Sequence, residues 1–165
     1  MTPVRKLQLL FAGCAMAASA LVAREGWVER VYPDPVHGNK IPTGCAGVTK
    51  GMKPGQVFTT DECVEKTAAA MVEHFAPILP CVPENIPVGV FAVFGNMSYN
   101  LKGGPTAFCK SSMSKRAMAG DFKGACDAIL LYHYAGGLDC RTDWRCRGLW
   151  LNRQKEHAQC LKGLS

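Results

Sequence analysis

The sequence predicts an α+β fold, with a small β lobe near the N-terminus and a larger helical lobe after it. Three observations predict it. Residues 25–53 are rich in glycine, proline and polar side chains, which fits short strands joined by turns. Beyond them, apolar residues recur at spacings of four and three, the period of an amphipathic helix. Hydrophobic residues make up 48% and charged residues 19% of the 165, enough apolar material for one core and too much for extensive disorder.

The elements follow in order. Arg5 and Lys6 precede an apolar stretch from Leu7 to Ala23, and Arg24 closes it. As a helix that stretch is about 25 Å long, slightly short of a ~30 Å hydrocarbon core. It reads as an export segment in one of three forms. It is a signal cleaved near Ala18-Ser19-Ala20, a lipoprotein signal around Phe11-Ala12-Gly13-Cys14, or a retained segment that first sits in the membrane and later leaves it. Glu25 to Lys53 is expected to hold the short β elements. Thr59 with Glu62 has the spacing of a capping box. Val64, Ala68, Met71, Phe75 and Ile78 line one helix face, and Pro77 and Pro80 end that helix. Val88–Tyr99 is almost wholly apolar and predicts a buried helix. Helical patterns are expected over Thr106–Met118, Asp121–Tyr132 and about Leu149–Leu161, punctuated by Gly120, Gly136 and Gly137.

Nine cysteines stand out: Cys14, Cys45, Cys63, Cys81, Cys109, Cys126, Cys140, Cys146 and Cys160. Reducing compartments offer disulfides no advantage, and no C-x-x-C pair suggests a zinc knuckle, so the chain reads as exported and disulfide-bonded. His37, His74, His133 and His157 lack metalloprotease spacing. A zinc set of Cys140, Cys146, His157 and Cys160 can be drawn, but no metal or cofactor is expected. The formal charge of +6 favours an anionic partner. The basic residues are scattered rather than clustered, which argues against nucleic acid.

Glu25 and Asp34 are separated by eight residues and flank a turn-rich region. Two carboxylates across one cleft suit glycoside hydrolysis, where one must donate a proton and the other must stay ionised, although the spacing alone fits two solvated surface carboxylates better. Glu25 follows the apolar run and adjoins Trp27, surroundings that raise a carboxyl pKa. Asp34 lies in a polar stretch that keeps its own pKa low.

Beyond these, Thr43-Gly44-Cys45-Ala46-Gly47-Val48-Thr49 follows Asp34. In order and spacing the chain resembles the phage-type lysozymes, or endolysins, which carry a Glu, eight residues, an Asp, and then a Thr-x-x-x-Gly-x-Thr stretch. The likeness continues through Gly55, Asp61-Glu62-Cys63, Phe94 to Asn100, Phe108, Ser112, Gly120-Asp121-Phe122-Lys123-Gly124-Ala125-Cys126-Asp127, Tyr134-Ala135-Gly136-Gly137, Gly148-Leu149, Arg153, Glu156 and Cys160. It is strongest to the lambdoid endolysins with a signal-anchor-release segment. Eight residues separate Asp34 from Thr43 where the family has five, so a longer hairpin loop is expected within His37–Pro42. Val28 stands where an arginine is usual.

The resemblance implies a lysozyme-like fold and an inverting muramidase. Glu25 would be the general acid, with Asp34 and Thr43 positioning a water against the bond from N-acetylmuramic acid to N-acetylglucosamine. It implies Cys45–Cys63 and Cys126–Cys160 disulfides. Cys140 and Cys146 lie in an apparent insertion and form a candidate local bridge, which leaves Cys81 and Cys109 as a pair. Cys14 is either a small apolar helix residue or a redox switch. In this family the acid sits at the end of a helix, which favours retention of the N-terminal segment. The expected organisation is therefore residues 1–24 as a signal-anchor-release or signal segment and 25–165 as the lysozyme domain. The expected protein is a monomer whose partners are peptidoglycan and, before release, the inner membrane. Its expected place is the periplasm of a Gram-negative host. Competing readings are a catalytically impaired wall-binding protein on the same scaffold, a cationic membrane-disrupting protein, and a Cys/His peptidase, for which no local signature is present.

Overall fold

The N-terminal apolar stretch folds as one long helix, α1 (Pro3–Glu25), in a computed structural model that describes residues 1–25, 28–33 and 40–165, apart from the side chains of 19–25. Alanine and leucine dominate α1, and both favour the helix strongly. Glu25, expected in the β region, is therefore the last residue of a helix. Leu9, Cys14 and Ala17 face inward and join the main core. Gly13 allows the close approach, since a Cβ there would stand 2.7 Å from Cδ1 of Phe91. The start of α1 is clasped by the 84–86 loop. Glu84 accepts from the Thr2 N–H at 2.8 Å and lies 3.7 Å from the terminal ammonium. The Arg5 guanidinium donates to the Glu84 and Ile86 carbonyls at 3.0 and 2.7 Å. Among the described residues, no helix is long and apolar enough to cross a membrane.

A small β module comes next. β1 (Val28–Pro33) and β2 (Pro42–Cys45) pair antiparallel, with Val28 opposite Cys45, Tyr32 opposite Thr43 and Pro33 opposite Pro42. Four residues on β1 span two on β2, so the ladder is irregular between Val28 and Tyr32. There β1 bonds the other way: Val31 N–H donates to Gln56 O and Phe58 N–H to Glu29 O, both at 2.9 Å. Val31, Cys45, Val48, Met52 and Cys63 form a second, smaller core under this module.

The helical lobe begins at α2 (Thr60–Phe75), started by the expected capping box. Thr59 Oγ1 accepts from the Glu62 N–H, and the Glu62 carboxylate accepts from the Thr59 N–H at 2.8 Å. Pro77 ends α2 as expected, and the chain tightens into a 3-10 turn over Ala76–Cys81. α3 (Val88–Asn100) is the predicted buried helix, with Val90, Phe91, Phe94 and Met97 fully enclosed. Phe75 meets Phe91 edge-on at 5.6 Å, and Phe94 meets Phe108 at 5.3 Å.

The stretch expected as one helix over Thr106–Met118 is two, α4 (Gly104–Cys109) and α5 (Ser112–Met118). Ser111 breaks it, because its hydroxyl accepts from the Ser114 N–H at 3.1 Å and so starts a new helix. The helix expected over Asp121–Tyr132 is α6 (Phe122–Asp127), capped by Asp121, and then a 3-10 turn over Ala128–Leu131. Gly136 and Gly137 make more than punctuation. With φ of 56° and 82° they close a two-residue hairpin between β3 (Tyr134–Ala135) and β4 (Leu138–Asp139). A 3-10 turn at Trp144–Cys146 leads into α7 (Arg147–Lys162).

Four disulfides hold these parts: Cys45–Cys63, Cys81–Cys109, Cys126–Cys160 and Cys140–Cys146. They are the four pairs set out from the sequence. The three cysteines of the zinc set drawn above are all engaged in them. Cys14 is a buried free thiol.

Candidate active site

Thr43 is the site residue described in full. It sits on β2, is 5% exposed, and its hydroxyl donates to the Ile41 carbonyl at 3.4 Å. The turn after it fixes its place. Gly44 N–H donates to Val48 O and Val48 N–H to Gly44 O, both at 2.9 Å. Between them Cys45 and Gly47 take φ of 53° and 81°, so the Thr43–Thr49 stretch folds back on itself. Gly44 is packed against Val31, where a Cβ would come within 2.9 Å of a methyl. Cys45–Cys63 ties the turn to α2, and the Thr60 hydroxyl donates to Glu29 at 2.6 Å, tying β1 to the same helix.

Glu25 ends α1, three residues before Val28, whose partner across the ladder is Cys45. Asp34 follows Pro33 and lies outside the described residues, as do residues 37–39, half of the expected loop insertion at His37–Pro42. Of that loop, Lys40 and Ile41 lead into Pro42, the first residue of β2. The backbone thus gathers the segments that carry Glu25 and Thr43 onto one module. The Glu25 carboxyl lies outside the described side chains.

Beside α1 lies a polar network that reasoning from the sequence did not assemble. Arg153 and Glu156 on α7 form a buried ion pair, with side chains only 4% and 5% exposed. The Asn96 amide on α3 donates to Glu156 at 2.9 Å, and Arg153 also reaches Met97 Sδ. Buried charges persist only when paired and hydrogen-bonded, so this cluster fixes α7 against α3. It borders a cleft of about 600 Å³ that Met16 and Ala17 of α1 also line. Arg153, Glu156 and the Phe94–Asn100 stretch that holds Asn96 all carry the resemblance, but nothing local joins them, because Asn96 and Glu156 are 60 residues apart. A second pair, His157 with Asp127 at 2.8 Å, joins α7 to α6. Lys123 and then His157 hold the Asp127 carboxyl below its ordinary range.

A β module bearing a threonine turn, an acid-bearing helix end and an enclosing helical lobe define a lysozyme-like fold. The crystal structure of the active form of the P1 phage endolysin superposes with a TM-score of 0.73 over 90% of this chain and 85% of that one, at 21% identity. An endolysin from Escherichia coli O157:H7 phage FAHEc1 superposes with a TM-score of 0.71 over 91% and 90%, at 23% identity. The family model for phage lysozyme matches residues 22–156. The SAR-endolysin of Bacteriophage PS119 is 31% identical over 140 residues, covering 84% of this chain and 77% of that protein. The chain belongs to the phage lysozyme family, and it is a lysozyme.

Proposed function

We propose that this lysozyme is an endolysin that hydrolyses the β-1,4 bond between N-acetylmuramic acid and N-acetylglucosamine in peptidoglycan, and so lyses its host. Glu25 donates a proton to the leaving oxygen. Asp34 and Thr43 hold a water on the opposite face of the sugar. An inverting pair needs about 6.5–9.5 Å between carboxyls to admit that water. The observation that carries the reading is the Thr43–Thr49 turn on β2, in register with β1, whose two ends adjoin the Glu25 and Asp34 segments.

Residues 1–24 act as a retained signal-anchor-release segment, and 25–165 form the catalytic domain. The segment first tethers the exported chain to the inner membrane of a Gram-negative host, and the chain then enters the periplasm. Two features support this. The segment is apolar enough for export but falls short of a stable span. Its inner face is also part of the folded core, so a chain cut after Ala20 would lose Leu9, Gly13 and Cys14 from beneath Phe91. The relatives named SAR-endolysin come from phages such as PS119 and Enterobacteria phage P21.

The test is muropeptide release from purified Gram-negative murein by the wild type and by Glu25→Gln. New reducing-end N-acetylmuramic acid from the wild type, reduced ~10²–10⁴-fold in the variant, is the expected result. Equal release from both would overturn the assignment of the acid.

A further inference from the structure

The geometry points to an accessory glycan-binding site on the Cys140–Cys146 loop, where Trp144 receives the apolar face of an N-acetylated sugar ring of the murein strand. This rests on the peptidoglycan reading above and adds to it a second contact, separate from the β1–β2 module. The loop is Cys140-Arg-Thr-Asp-Trp-Arg-Cys146. Its two ends are joined by the disulfide, with Cα atoms 4.9 Å apart. The Cys140 N–H donates to the His133 carbonyl at 2.9 Å, fixing the loop to the β3–β4 hairpin.

In the loop and at its edge, two acids each hold an arginine. Asp139 accepts from the Arg141 backbone N–H and from both Nε and Nη2 of its guanidinium, the last at 2.6 Å. Arg141 holds the Asp139 carboxyl down at about 2, so the pair stays ionised near neutral pH. Asp143 accepts from the Arg145 N–H at 3.0 Å and from its Nη2 at 2.6 Å. The Arg147 guanidinium donates back to the Arg141 carbonyl at 2.6 Å. The loop is thus built to hold one shape.

What it presents is Trp144, 84% exposed, the most exposed of the large apolar side chains described. Such a ring contributes nothing to the core. Tyr134, 60% exposed, lies beside Arg141 on the adjoining hairpin. An indole face on a loop that also carries fixed guanidinium and carboxylate groups suits a pyranose, which has an apolar C–H face and a hydroxyl rim. Arg147 bonds a carbonyl rather than a carboxylate, so its charge is left to meet the carboxylates of the peptide stems. The alternation of Asp139, Arg141, Asp143 and Arg145 suits a hydroxylated polymer better than a bilayer, which would select an unbroken basic face.

The experiment uses the full oxidised chain carrying Glu25→Gln, so that sacculi stay intact. Retention on purified murein sacculi is measured against sacculus concentration, beside retention on phosphatidylglycerol vesicles. Trp144→Ala is expected to raise the half-saturating sacculus concentration about five- to tenfold with its thermal midpoint unchanged, while Trp144→Phe, which keeps a ring face, retains most of the binding. Equal retention of Trp144→Ala and its parent overturns the site, whatever the wild type does to murein. Loss confined to the vesicles also overturns it and assigns Trp144 to a lipid surface. Trp144-dependent retention by a chain whose wild type releases no reducing ends would keep this site and sink the muramidase reading instead.

Discussion

Cys14 lies on the inner face of α1, and burial pushes its thiol up from 9.0 to about 11. The thiolate is the reactive form, so two pKa units remove roughly a hundredfold of it near pH 8. Alkylation by iodoacetamide under native conditions is expected to be slower than in urea by at least about that factor. A native rate equal to the rate in urea would mean that α1 does not stay docked. His74 tests pH in the same way. It stacks edge-on with Tyr99 at 4.7 Å, and burial lowers its pKa against a weaker opposing pull from Glu73. A histidine with a depressed folded pKa binds more protons when unfolded. Its contribution is therefore complete above the ordinary value of 6.5 and is lost as pH falls below it. His74→Gln is expected to flatten part of the fall in urea midpoint between about pH 7 and pH 5, and an unchanged slope would contradict it.

Among the elements, α2 was readable almost residue by residue. Thr59 and Glu62 are local partners, so their capping box is written in three consecutive steps of sequence. Thr59→Ala is expected to cost about 1 kcal/mol by urea titration. Pro77 and the apolar run of α3 were equally legible, because proline and a continuous apolar stretch each constrain the backbone by themselves. The break at Ser111 was not legible. Ser111 sits within a continuous helical pattern, and a serine there can lie inside a helix or cap a new one, so the pattern alone does not mark the break. The β1–β2 module shows the same division. Its threonine turn is carried by Gly44 and Gly47, but the irregular ladder depends on Val31 bonding residue 56, far along the chain. The Cys45–Cys63 bond closes that module, and its loop length gives it about 3 kcal/mol. A Cys45→Ser/Cys63→Ser double variant should lower the thermal midpoint. It should also speed hydrogen exchange at the Gly44 and Val48 amides while α3 keeps its protection. Uniform exchange through both lobes would show instead that the two cores unfold together.

At the scale of the molecule, the decisive joint is between α1 and the rest. α1 is the part of the chain most readily taken for a disposable leader, yet it supplies Leu9, Cys14 and Ala17 to the core and ends on Glu25. Its start is held by Glu84 and Ile86, and its middle rests on Phe91 at Gly13. On the function proposed above, in which residues 1–24 first sit in a membrane, these contacts form once the segment leaves it, and docking of α1 then also places Glu25. Gly13→Val tests this without touching a residue of the β module. The new Cβ would stand 2.7 Å from the Phe91 ring, inside contact distance, and must push α1 outward. Overpacking of this kind costs about 1–3 kcal/mol in a domain stable by about 5–15, so the chain should still fold. Hydrolysis of murein is then expected to fall by more than the lost folded fraction accounts for, because the helix that carries Glu25 is displaced. Alkylation of Cys14 should quicken in the same variant, since its cover is lifted. Full hydrolysis with quickened alkylation would show that Glu25 is held by its own end of the helix. In that event the rest of α1 would serve stability alone.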